Sequence, residues 1–135
     1  MKVKGIVLAV VVLLASWGTI LAQPNRLSEF MSLKLKHSQK LLEGLVKEDF
    51  TVIASEAQSL SLLSREENWN VMQTEDYLEH SVAFRRAAEE IKKAANEKNL
   101  EGAALGYVEM TMKCVRCHKY VRGVRTAETS KGAKP

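Results

Sequence analysis

Proline and glycine are scarce in this chain. Its 135 residues include 2 prolines and 7 glycines, and four of those glycines (Gly5, Gly18, Gly123 and Gly132) fall near the ends. A middle with so little punctuation excludes a sandwich or barrel of many short strands and favours a few long helices. The length has room for one domain and excludes a multidomain enzyme. No stretch is densely packed with Lys and Arg, so nothing supports nucleic-acid binding. Cysteine is limited to 2 residues, with no second pair to complete a structural zinc site. What is abundant is ordinary: 46% hydrophobic and 27% charged residues, a balance that argues for an ordered domain.

The first 22 residues stand apart. Lys2 and Lys4 precede an uninterrupted apolar run from Gly5 to Ala15, and Ala22 offers a small residue before Gln23-Pro24. The pattern reads as a secretory signal peptide cleaved near Ala22, with an uncleaved membrane anchor as the competing reading. Residues 23–122 then form the working domain and 123–135 a small, polar, flexible tail. Removing Lys2 and Lys4 lowers the formal charge from +4 to +2. The expected location is the periplasm or another exported compartment, with no stable membrane insertion after cleavage.

Export changes how the cysteines read, because both lie in Cys114-Val115-Arg116-Cys117-His118, outside the compartment that keeps thiols reduced. A thioredoxin-like pair would open a helix in a βαβ setting, yet no alternating β-rich segment comes before it. A structural zinc site needs about four ligands. Covalent attachment of one haem c uses both thiols as thioethers and the adjacent histidine as an iron ligand. Of the three chemistries, only this one accounts for all three residues.

The scaffold is legible as four helices. Leu27, Met31, Leu35, Leu42 and Leu45 recur at helical spacing, with Ser38 on the same line, and predict a first helix over about 26–46. Asp49 can cap a second, whose inner face is Phe50, Ile53, Ala54, Ala57, Leu60 and Leu63 or Ser64. Residues 66–73 read as a connection, with Trp69 folded back onto the bundle. Thr74 with Glu75 and Asp76 starts a third, with Tyr77, Ser81, Phe84, Ala88, Ile91 and Ala95 inward. Asn99 caps a fourth over about 100–122, with Ala104, Tyr107, Thr111, Cys114, Val115 and His118 inward. The expected fold is all-α, an antiparallel four-helix bundle. At about 100° per residue, Cys114, Cys117 and His118 project to one side of the fourth helix, so the haem is expected within the bundle core.

Taken together, these features resemble the cytochrome c′ family over nearly the whole mature chain. The resemblance is sharpest in Phe84-Arg85-Arg86-Ala87-Ala88 through Ala94-Ala95, Asn99-Leu100-Glu101-Gly102-Ala103, Cys114-Val115-Arg116-Cys117-His118 and Arg122. The family often has an arginine four residues after the haem histidine, which Arg122 matches; its usual preceding aromatic is replaced by Val121, with Tyr120 one earlier. The first half resembles the family in Lys40-Leu41-Leu42 and Leu45-Val46-Lys47. The resemblance implies a haem in the bundle, bound by Cys114, Cys117, His118 and Arg122.

The family also draws its distal residue from the first helix, where low-spin members have methionine and high-spin members a non-ligand. Met31 lies mid-stripe there and is the expected sixth ligand, with Ser32 or Leu33 distal if the register shifts by one. Met110 and Met112 share the helix of His118, and Met72 sits in a connection. His80 and His37 are weaker ligand candidates, and Lys34, Arg85, Arg86 and Arg122 are candidate partners for haem propionates. The expected function is single-electron transfer with His/Met axial ligation, not enzymatic catalysis, between redox partner proteins. The alternative is a five-coordinate, high-spin haem that binds nitric oxide or carbon monoxide. A homodimer is left open.

Overall fold

The computed structural model describes residues 26–67, 72 and 74–132; the stretch expected to be a signal peptide with its cleavage point, and Trp69, lie outside them. Four helices account for nearly all of this: α1 Arg26–Val46, α2 Phe50–Glu67, α3 Glu75–Asn96 and α4 Leu100–Gly132. Among the described residues there is no strand, and no helix is long and apolar enough to cross a membrane.

The cross-helix contacts fix the topology. His37 of α1 meets Glu56 of α2, while Lys92 of α3 donates to Gln58 and Ser64 meets Ser81. Thr74, just ahead of α3, meets Tyr120 of α4. Rising numbers on one helix pair with falling numbers on the next, so the helices run up and down in chain order. Successive helices pack closely, whereas α1 touches α4 sparsely. The bundle is therefore tight on three sides and loose along the seam between α1 and α4.

Two turns of one design close the same end. After α1, Glu48 takes a left-handed φ of 54°, and the Asp49 N–H donates back to the Gly44 carbonyl at 2.9 Å. After α3, Lys98 takes a φ of 59°, and the Asn99 N–H reaches the Ala94 carbonyl at 2.9 Å. Each is a Schellman-type stop made without glycine, at a backbone cost of about 1 kcal/mol. The next residue caps the following helix and offsets that cost. Asp49 Oδ1 accepts from the Thr51 and Val52 N–H groups, both at 3.0 Å, and Asn99 Oδ1 accepts from Gly102 at 2.8 Å. Such caps contribute about 1 kcal/mol each. Thr74 caps α3 as its sequence suggested, accepting from the Tyr77 N–H at 3.3 Å.

The core runs through α2 and α3. Leu41, Ile53, Ala57, Leu60, Ala88, Ile91, Ala103 and Met110 are fully enclosed. The alanines of α3 (Ala87, Ala88, Ala94 and Ala95) let its neighbours approach. Ser64 and Ser81 are buried together, and their hydroxyls lie 3.2 Å apart; each also reaches the other's backbone carbonyl, so burial leaves neither hydroxyl unsatisfied.

The predicted inner faces of α2 and α3 agree with this core. Those of α1 and α4 need correction. Leu41, not Leu42, is buried on α1, and Leu35 and Leu42 are exposed. The cause is Gly44: its missing Cβ would lie 3.0 Å from Val52, so α1 packs against α2 and turns its predicted stripe toward the seam. On α4, Ala103 and Met110 are buried, while Ala104, Thr111, Val115 and His118 are exposed. There too a glycine sets the rotation, because Gly106 sits directly against Ile91 of α3. Two helices also run further than predicted. α2 continues to Glu67, and α4 continues through Gly123 to Gly132. With no proline between Gly123 and Gly132, one glycine at 123 weakens the helix by only about 1 kcal/mol and does not end it.

Candidate functional site

The rotation of α4 decides what the seam contains. With Ala103, Gly106 and Met110 turned to α3, the line Tyr107, Thr111, Cys114 and His118 faces α1. Tyr107 accepts a hydrogen bond from Ser38 of α1 at 3.4 Å, which links the two helices on the turn side. Toward the opposite end the seam widens into a cavity of about 530 Å³, within the roughly 300–1,000 Å³ of small-molecule and cofactor sites.

All four helices line it. Met31, Lys34, Leu35 and Ser38 come from α1; Leu60 from α2; Tyr77, His80, Ser81 and Phe84 from α3; and Tyr107, Thr111, Lys113, Cys114, Cys117 and His118 from α4. The floor is apolar, since Leu60, Tyr77 and Phe84 are buried. Cys114 is half-buried and packs against the core, Cys117 is half-buried and His118 exposed. No disulfide joins the two thiols.

The charged groups sit above the floor. Lys34 Nζ lies 4.6 Å from the centroid of the Phe84 ring, a cation–π contact at the rim. Lys113 pairs with Glu109 one turn earlier at 3.2 Å and leaves 24% of its side chain exposed. On the α3 side the His80 and Tyr120 rings are tilted, with centroids 5.4 Å apart. The Tyr120 hydroxyl lies 3.1 Å from Thr74 Oγ1, which ties the motif-bearing part of α4 to the start of α3.

Of the residues singled out in the sequence, Met31, Lys34, His80, Cys114, Cys117 and His118 come together here. Arg122 is exposed on α4 and does not line the cavity, nor do Arg85 and Arg86 of α3 or Met72. Met110 is core, and Met112 is exposed. His37 faces α2, where Nδ1 lies 2.5 Å from Glu56 Oε2. The sequence reading missed Lys113, one turn before Cys117 and therefore on its face of the helix; that spacing was the available signal. Among the described residues, no three His, Cys, Asp or Glu side chains converge as a metal cluster. Iron held in a macrocycle needs only axial ligands from the chain.

Fold and site together define a class: an all-helical, four-helix bundle whose loose seam opens a cavity onto a Cys-x-x-Cys-His segment. No known family, curated protein or solved structure matches the chain.

Proposed function

We propose that this chain is an exported c-type cytochrome that carries single electrons. One haem c would be held by Cys114 and Cys117, with His118 and Met31 as axial ligands. One observation carries the reading: Met31 of α1 lines the same cavity as Cys114, Cys117 and His118 of α4, although more than eighty residues separate them in sequence. The donor set also fits the group, with two thiols for thioether bonds, an imidazole and a thioether for iron, an apolar floor for a flat macrocycle and cations at the rim. When bound, haem supplies a one-electron iron couple whose potential His/Met ligation raises.

The chain's own residues have separable tasks in this reading. Leu60, Tyr77 and Phe84 exclude water from the floor. Lys34 and Lys113 supply charge-assisted donors for propionate oxygens, a role that Arg122, away from the cavity, is less well situated to fill. The Ser38–Tyr107 and Thr74–Tyr120 contacts hold the walls at both ends. Export follows from residues 1–22, outside the described part.

The absorption spectrum of purified holoprotein tests ligation directly. The expected result is a low-spin haem in both oxidation states that carbon monoxide leaves unchanged. A high-spin spectrum with ready carbon monoxide binding would transfer the site to the gas-binding reading.

A further inference from the structure

The outer surface of α4 carries a run of exposed apolar side chains. Leu105 is 72% exposed, Val108 59%, Met112 46% and Val115 52%. At about 100° per residue these four fall within a sector about 80° wide, opposite the buried Ala103 and Met110. An apolar stripe three turns long on the outside of a bundle marks an interaction surface. Its ends are charged. Glu101 lies on the same line one turn before Leu105, and Lys119 one turn after Val115; both are exposed. Among the described residues neither has an ion-pair partner.

The order along this line is acid, four apolar residues, base, and it is symmetric about residue 110. We infer that the outer face of α4 binds a second copy of this chain, in a two-fold dimer with the two α4 helices antiparallel. About a two-fold axis crossing the outer face between Val108 and Met112, Glu101 meets the partner's Lys119, Leu105 meets the partner's Val115, and Val108 meets the partner's Met112. Such an interface is isologous, each contact occurring twice. It has an apolar centre with charges at the rim, the usual anatomy of a protein interface. Parallel pairing would set Lys119 against Lys119 and Glu101 against Glu101, so the charges select the antiparallel arrangement.

The pairing has a consequence for the site. Each Cys114–His118 segment is centred six residues from the axis. At 1.5 Å per residue, the two segments would lie about 18 Å apart along the paired helices. The importance of that spacing for electron transfer rests on the cytochrome reading; the dimer itself does not.

Charge exchange tests it, read by light scattering after size exclusion and by sedimentation equilibrium of the full mature protein. The parent should be a dimer. Glu101→Lys alone and Lys119→Glu alone should each weaken it by roughly ten-fold or more, since each makes two like-charge contacts. The double variant E101K/K119E should restore it, and mixing the two single variants should give a heterodimer. Haem content, read from the spectrum of the same samples, reports separately on the proposed function. A monomeric parent would overturn the inference, as would a dimer indifferent to these exchanges. A monomer that bound vesicles rich in phosphatidylglycerol would assign the face to a membrane instead.

Discussion

Replacing Met31 with Ala should turn the haem from low-spin to high-spin and make the ferrous protein bind carbon monoxide. Met31 offers a soft thioether donor on the α1 wall of the cavity, across the seam from the helix that carries His118. No other methionine among the described residues lines that cavity. Met31 is half-buried, so losing its side chain should cost about 2 kcal/mol, the low end for methionine truncations. The bundle should survive, because the core through α2 and α3 does not depend on it. Met72→Ala is the control and should leave the spectrum as it is. If Met31→Ala stays low-spin, His80, whose imidazole also lines the cavity, becomes the ligand to test.

The largest stability effect should come from Ile91, and it should be conditional on Gly106. Ile91 is fully buried, and Ile91→Ala should cost about 2–5 kcal/mol. A Cβ built on Gly106 would lie 2.8 Å from Ile91 Cγ1, inside van der Waals contact. In the parent, Gly106→Ala should therefore destabilise by about 1–3 kcal/mol through overpacking, despite the roughly 1 kcal/mol by which alanine favours a helix over glycine. In the Ile91→Ala background the obstacle is gone, and the same change should be neutral or stabilising. Denaturant unfolding of the four proteins gives the coupling energy. Additive effects would mean that α4 does not approach α3 as closely as these atoms indicate.

That contact also explains where the sequence could and could not be read. The starts of α2, α3 and α4 were legible because each has a side-chain cap with a local partner: Asp49, Thr74 and Asn99 all accept from the first turn they precede. The inner faces of α2 and α3 were legible because these helices have neighbours on both sides, so their apolar stripes coincide with their buried stripes. On α1 and α4 the two differ. Of their predicted stripes, Met31, Leu35, Ser38, Tyr107, Thr111, Cys114 and His118 line the cavity in the seam, Leu45 is core, and Leu42, Ala104 and Val115 are exposed. Close packing of Gly44 on α2 and Gly106 on α3 rotates other residues into the core, and nothing in the hydrophobic period signals such a rotation. α4 adds a second difficulty, since Leu105, Val108, Met112 and Val115 make its outside apolar as well. A helix apolar on opposite sides has almost no preferred face to read. The same outer residues that blurred the reading form the proposed dimer face.

The candidate site was legible through chemistry more than through packing. A Cys-x-x-Cys-His segment in a chain with no other cysteine carries the expectation of covalent haem whichever way the helix is turned. The cations were legible only in part: Lys34 lines the cavity as a named candidate, Lys113 lines it without having been singled out, and Arg122 does not line it.

The central claim is that Cys114 and Cys117 hold haem covalently. Acid–organic extraction of the purified protein, followed by intact-mass measurement of the polypeptide, tests it most directly. The account predicts that haem stays with the chain and that its mass exceeds the apo-polypeptide by one haem. Haem released into the organic phase, or a polypeptide at its unmodified mass, would contradict it.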